Sequence, residues 1–389
     1  MNSTASENLV YLDHAATTPM RESAIAEMMP FLAGEYANPS GSHRFARRAR
    51  QAVDEARDMV ADVVGCSPGE IVFTGSGTEG DNTAIRGVVE RTGGRAVCSA
   101  AEHHAVLHCV EHVGGHVLGT DAWGSIDLDR LAACLEDAPD SGPDSIGVVS
   151  VMAVNNETGS VTDLDAVSRV VRRRAPRAVL HTDAVQAACW LDLRDQWPRV
   201  DALALSAHKF GGPKGVGILA IRAGSPIAPF VLGGGQERDR RSGTHNVAGI
   251  VATAVALHDT DRERAHEAIR VAELRETLIA GLSQVGDVHR TIPADRSVPG
   301  VAHVCFAGIE NEALLYLLDE QGVCASAASA CASGAMEPSH VLAAMGVERS
   351  LAHGALRLSL GHTTTEADVD SAITAVVSAV SHLRQAAGR

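Results

Sequence analysis

The stretch "ALALSAHKFGGPKG", Ala202–Gly215, decides the fold. Its first five residues offer no polar face, so a strand there has to be covered on both sides, as in a parallel sheet sandwiched by helices. The strand then empties into a glycine turn that carries Lys209 and Lys214, the only lysines in a chain with 33 Lys+Arg. A guanidinium is effectively always protonated, whereas a lysine amine in a desolvated site can lose its proton and attack a carbonyl. An arginine-biased composition that leaves two lysines on a solvated turn would look the same. The neighbours have to discriminate.

Outward from this turn, between about residues 45 and 220, helical stretches alternate with short β-branched runs, the pattern of βαβ units around a mostly parallel sheet. "RFARRARQAVDEARDMVADVVG" has helical spacing and stops at Gly65; "EIVFTG" reads as a strand, and "SGTEGDNTAIRGVVE" as a turn entering a helix. "RAVCSA", "GHVLGT", "IGVVSVMAV" and "AVLHTDAV" are further strands. Beyond "RSGTHNVAGIVATAVAL" a charged helix starts at "DTDRERAHEAIR", and strands "VAHVCFAG" and "ALRLSLG" follow with helices. The expected division is a large domain over 18–258 and a smaller α+β domain built from 1–17 and 259–389.

A chain of 389 residues, 45% hydrophobic and 21% charged, buries a large core. Its net charge of -15 argues against direct nucleic acid binding or an anionic membrane surface. The N-terminus lacks a basic stretch followed by an apolar one, and no apolar run approaches membrane-spanning length, so a cytoplasmic location is expected. Eight cysteines without a C-x-x-C pair give neither a zinc pattern nor a secreted disulfide framework.

Three groups in chain order carry the chemistry. Gly77 and Thr78 in "FTGSGTEGDN" stand between a strand and a helix start, where free N–H groups and the helix dipole suit a phosphate; a tight turn with ordinary capping fits as well. Asp183 ends the strand in "LHTDAVQ", where open α/β sheets bind ligands, and a buried carboxylate there wants a cation; a helix N-cap is the plain alternative. Lys209 follows the next strand, beside Ser206 and His208. Together they supply what pyridoxal 5'-phosphate needs: an imine-forming amine, a carboxylate that keeps the ring nitrogen protonated, and a phosphate cup. His103 after a strand could stack on the ring and move protons, and Asn155 and Asn156 in "AVNNETG" could bond a phenolic oxygen or cap a turn. Arg357 in "ALRLSLG" either faces solvent or turns inward, where it would suit a substrate carboxylate. Cys331 lies in "CASAASACASGA", a loop too poor in bulk to be core, with Cys324 at its start as competitor.

The ordered series "YLDHAATTP", "NPSGSHRFA", "TGSGTEGDN", "AEHHAV", "NNETG", "HTDAVQ", "SAHKFGGPKG", "GGGQERDRRSGTHN", "SACASGAMEPSHVL" and "LRLSLG" resembles the pyridoxal-phosphate-dependent cysteine desulfurases of the NifS/IscS type over nearly the whole chain. The small-residue loop is similar to the extended loop of the family's first group, spanning about 322–335. The resemblance implies the aspartate-aminotransferase-like fold (fold type I) and a homodimer. It assigns the Schiff base to Lys209, the stacking imidazole to His103 and the ring nitrogen to Asp183. Gln186 and Asn155 would hold the phenolic oxygen, and Thr78, Ser206 and His208 the phosphate. Thr244 would reach the phosphate of the other subunit, Arg357 with Asn38 would hold the substrate carboxylate, and Cys331 would be the nucleophile. The implied activity converts L-cysteine to L-alanine and leaves the sulfur as a persulfide on Cys331. An acceptor protein then takes it: an iron-sulfur scaffold, a tRNA thiolation enzyme or a DNA phosphorothioation enzyme, the last being the expectation. Selenocysteine lyase or aminotransferase activity on the same fold, or a scaffold without catalysis, are the alternatives. Two departures from the family pattern, Gln236 in "GGGQE" and His362 after the Arg357 strand, touch none of the assigned chemistry.

Overall fold

The computed structural model describes residues 9–327 and 339–388. In chain order its strands are β1 (Val10–Tyr11), β2 (Ile71–Thr74), β3 (Arg95–Ser99), β4 (His116–Leu118), β5 (Ile146–Ser150), β6 (Val179–Asp183), β7 (Ala202–Ser206), β8 (Gly217–Ile221), β9 (Val288–Arg290), β10 (Val301–Phe306), β11 (Val323–Cys324) and β12 (Ala355–Ser359). Seven form one sheet in the order β2-β8-β7-β6-β5-β3-β4. Only β8 runs against the rest, antiparallel to both β7 and β2.

The sheet's residues alternate between two apolar layers, as a period of two requires. Val97, Val149, Leu180, Leu203 and Leu205 face the larger cluster. Ala96, Cys98, Val148 and Val179 face a second one, and Ala202 and Ala204 a third. Both faces are therefore covered, which explains why the strands read as unbroken apolar runs. The helix Arg44–Val64 ends where expected, with Gly65 left-handed at φ 80°.

A smaller antiparallel sheet, β12-β10-β9, has its own core with Leu314, Leu318, Val369 and Val376. The pair β1 and β11 extends it through bridges Asp13–Ser359 and Ser326–Arg357. The charged helix expected from "DTDRERAHEAIR" is the second half of one helix, Val247–Leu282. Neither glycine nor proline interrupts "ATAVALHDTDRERA", so nothing stops the alanine-rich first half from continuing. Ile250, Ala254 and Leu257 pack into the large core, and Val271, Leu274 and Leu278 into the small one. This helix carries both cores on one rigid rod. Among the described residues no helix is long and apolar enough to cross a membrane.

Candidate active site

The carboxyl ends of β6 and β7 meet the N-terminus of the helix Gly77–Thr92 around a cavity of about 360 Å³. It is lined by Gly77, Thr78, His103, Asp183, Gln186, Ser206, His208, Lys209 and Arg357, all expected from the sequence. Asp81, Met152, Asn156, Ala15 and Ala16 share the wall.

Each element explains its own contribution. Ser76 caps the helix, accepting from the Glu79 N–H, and so aims the first-turn N–H groups at the cavity. Gly77 has to be glycine because a Cβ would stand 2.6 Å from Val185 Cγ2 and 3.3 Å from Ser206 Cβ. Lys209 closes the short turn Ala207–Lys209 directly after β7, and Nζ donates to the Ala15 and Ala16 carbonyls at 2.6 and 2.8 Å. Burial and the Arg357 charge lower its amine from 10.5 to about 8, against the pull of Asp183 and Asp13. Lys214 is exposed on the outside of the turn.

Asp183 is buried at the end of β6, and Oδ1 accepts from the Val185 N–H at 2.9 Å. Burial raises its carboxyl; His103, that N–H and Lys209 oppose the rise. His103 caps its own helix, with Nδ1 accepting from the Ala105 N–H at 3.1 Å, so the neutral ring carries its proton on Nε2. Burial lowers the His103 ring, as it lowers His208 to about 4. His208 Nδ1 pairs with Thr17 Oγ1 at 3.1 Å, and Gln186 Nε2 donates to the Ala15 carbonyl at 2.8 Å.

Arg357 turns inward and is 5% exposed. Its Nη2 donates to Asp13 Oδ1 at 2.7 Å and its Nη1 to the Asn156 carbonyl at 2.8 Å, while the buried Nε has no partner among the described residues. The anion that a buried arginine requires is thus partly present, and one donor is left for a ligand.

Other expected residues lie elsewhere. The Asn155 amide is committed to its own turn, accepting from the Glu157 and Thr158 N–H groups and donating to the Ala101 carbonyl. Its neighbour Asn156 lines the cavity instead. Asn38 is exposed, its Oδ1 accepting from the Ser40 N–H, and Thr244 is exposed away from this cavity. Cys331, with most of the expected 322–335 loop, lies outside the described residues. On one side of that segment Ser326 exchanges backbone bonds with Arg357; on the other, Ser339 bonds Glu157 and His340 bonds the Glu102 carbonyl. Cys324 is half-buried, and burial raises its thiol.

Asp81 escaped the sequence reading. It follows Gly77 by four residues on one helix, a spacing that puts both on one face, and that signal could have found it. Asp81 Oδ1 and Glu102 Oε2 are buried without a hydrogen-bond partner among the described residues, His181 Nε2 standing 3.5 Å from Asp81 Oδ1; burial raises both carboxyls and the Asp183 charge adds to each. Burial keeps the Asp183 carboxyl raised despite His103 and Lys209, so a further cation is needed to hold it as a carboxylate. A protonated pyridine ring with a phosphate tail at the Gly77–Thr78 end meets that need, so the residues fit pyridoxal 5'-phosphate.

Similarity to known proteins agrees with this geometry. The class-V aminotransferase family matches residues 10–371. An IscS-like cysteine desulfurase of Mycobacterium tuberculosis is 42% identical, covering 97% of this chain and 98% of its own. The structure of a NifS-like protein superposes with a TM-score of 0.88 at 36% identity, over 96% of this chain and 100% of that one. SspA in complex with cysteine has a TM-score of 0.76 at 30% identity, over 90% and 98%. A fold type I enzyme dependent on pyridoxal phosphate is therefore the class that fold and site define. The chain belongs to the class-V aminotransferase family and, within it, to the cysteine desulfurases of the NifS/IscS type.

Proposed function

We infer that the protein is a cysteine desulfurase that converts L-cysteine to L-alanine and moves the sulfur to Cys331. The observation that carries this is a buried amine, Lys209, on the same cavity as Asp183 and Arg357. Bound pyridoxal 5'-phosphate supplies an electron sink next to the substrate Cα. Lys209 tethers the cofactor and, once released, holds or moves a proton at Nζ. Asp183 keeps the ring nitrogen protonated, and His103 holds a proton at Nε2. The Gly77–Thr78 turn, Ser206 and His208 hold the phosphate end, and Gln186 with Asn155 or Asn156 serves the phenolic oxygen. Arg357 uses its unpartnered Nε for the substrate carboxylate while Asp13 keeps the guanidinium aligned; Asn38 assists.

The sulfur step balances without an outside oxidant. The Cys331 thiolate attacks the substrate sulfur, an S–S bond forms as the C–S bond breaks, and the electron pair stays with the carbon that becomes the alanine methyl. The chain acts as a homodimer in which Thr244 serves the other subunit, with 18–258 as the large domain, 1–17 and 259–389 as the small one, and a cytoplasmic location. An acceptor protein takes the persulfide sulfur: an iron-sulfur scaffold, a tRNA thiolation enzyme or a DNA phosphorothioation enzyme. Alanine and sulfide are measured from L-cysteine with wild type and Cys331→Ala. Loss of persulfide in the variant, with the cofactor's visible band retained, supports the assignment; undiminished desulfuration removes Cys331 from it. Transfer of 35S from the persulfidated enzyme to each acceptor class in turn identifies the partner.

A further inference from the structure

The segment Gly235–His245 contains three consecutive residues other than glycine in the left-handed region: Glu237, Arg238 and Asp239, at φ 50°, 58° and 63°. L-residues visit that region singly and at a cost, so a run of three persists only where the surroundings hold it. Glu237 is what holds it. Its Oε1 accepts from Arg57 Nη2 at 2.7 Å and pairs with His245 Nε2 at 2.8 Å; its Oε2 accepts from Arg57 Nη1 at 2.8 Å and the Phe73 N–H at 2.9 Å. The Arg57–Glu237 pair is buried and His245 partly so.

Two more fastenings flank it. Arg241 donates through Nε and Nη2 to Glu79 at 2.8 and 3.2 Å, and Glu79 in turn accepts from the Gly75 N–H at 2.8 Å. Gln236 Oε1 accepts from the Gly243 N–H at 2.9 Å, bracing the residue before Thr244. Phe73, Gly75 and Glu79 belong to the strand, turn and helix start that build the phosphate cup. The strained segment is thus clamped to the cup of its own subunit while Thr244 stands exposed at its far end.

We propose that Glu237, seconded by Arg241, is a positioning residue that locks this left-handed turn against the phosphate cup and so sets the place from which Thr244 meets the phosphate bound by a second copy of the chain. This rests on the assignment of Thr244 to the neighbouring subunit. His245 Nδ1, buried without a partner among the described residues, marks the same end of the segment.

The test uses full-length protein freed of cofactor and compares the affinity of pyridoxal 5'-phosphate with that of pyridoxal, which lacks the phosphate. Thr244→Ala and Glu237→Gln each weaken the phosphorylated form at least about tenfold, the scale of one charge-assisted hydrogen bond, and pyridoxal by less than about twofold. A fold-wide role would lower both affinities together. Arg241→Gln leaves the buried Arg57–Glu237 pair intact and carries the same expectation if Glu237→Gln does not fold. A selective loss in Thr244→Ala with none in Glu237→Gln or Arg241→Gln overturns the positioning role alone. No selective loss in Thr244→Ala overturns the Thr244 assignment and the proposal with it.

Discussion

Lys209 offers the most direct quantitative test, because its reactivity depends on how much of the amine is neutral. The perturbation is pH, applied to cofactor-free protein between 6 and 9. Burial first and the Arg357 charge second bring the amine from 10.5 to about 8. At pH 7 about 9% is then neutral, against about 0.03% for an ordinary lysine, a gain of about 300-fold or about 3 kcal/mol. The assay is the rate at which the visible band grows after adding pyridoxal 5'-phosphate, divided by the rate for a free lysine analogue at the same pH to cancel the cofactor's own ionisation. If the amine titrates at about 8, the absolute rate climbs from pH 6 and levels off above pH 8, and the ratio falls as the free amine catches up. A ratio that stays flat through pH 9 means an ordinary amine. That result would refute the claim that the cavity activates Lys209 by desolvation.

Lys209→Arg keeps the charge and abolishes the band, whereas Lys214→Arg, on the exposed side of the turn, leaves turnover within about threefold, as for an ordinary surface change. Burial alone would raise the Glu237 carboxyl, but His245, Arg57 and the Phe73 N–H outweigh it and hold it at about 2. Its folded value is depressed, so its contribution of about 3 kcal/mol is present above the ordinary carboxylate range and is lost as pH falls through about 2. Urea unfolding should therefore show Glu237→Gln less stable by about that amount at pH 7, with the gap closing as pH falls from about 4.5 towards 2; a gap unchanged between pH 7 and pH 3 would contradict the linkage. Gly77→Ala puts a methyl group against Val185 and Ser206 and should cost about 1–3 kcal/mol of stability together with cofactor affinity. Unchanged thermal unfolding and cofactor titration would show that the close approach is not required.

Much of the site could be read in the chain because its signals are local. A glycine turn between strand and helix, an aspartate ending one apolar strand and a lysine just past the next each depend on a few consecutive residues, and parallel strands place their carboxyl ends together. Which of two adjacent asparagines faces the cavity was not legible, because one residue of backbone rotation decides it: Asn155 closes a turn and Asn156 lines the wall. Nor was the start of the long helix, since the change from apolar to charged residues at its middle reflects the passage from one core to solvent and the other core, not a break.

By itself, the sequence determined the alternation of strands and helices and the amine that has to be lysine. Tertiary structure alone decided that Arg357 meets Asp13, which lies 344 residues away, and that Glu237 reaches Arg57 across 180 residues to hold three residues in a left-handed turn. The physical reason is that backbone preferences and strand periodicity act between near neighbours. The partner of a buried charge is whatever the packed sheets bring within about 3 Å of it.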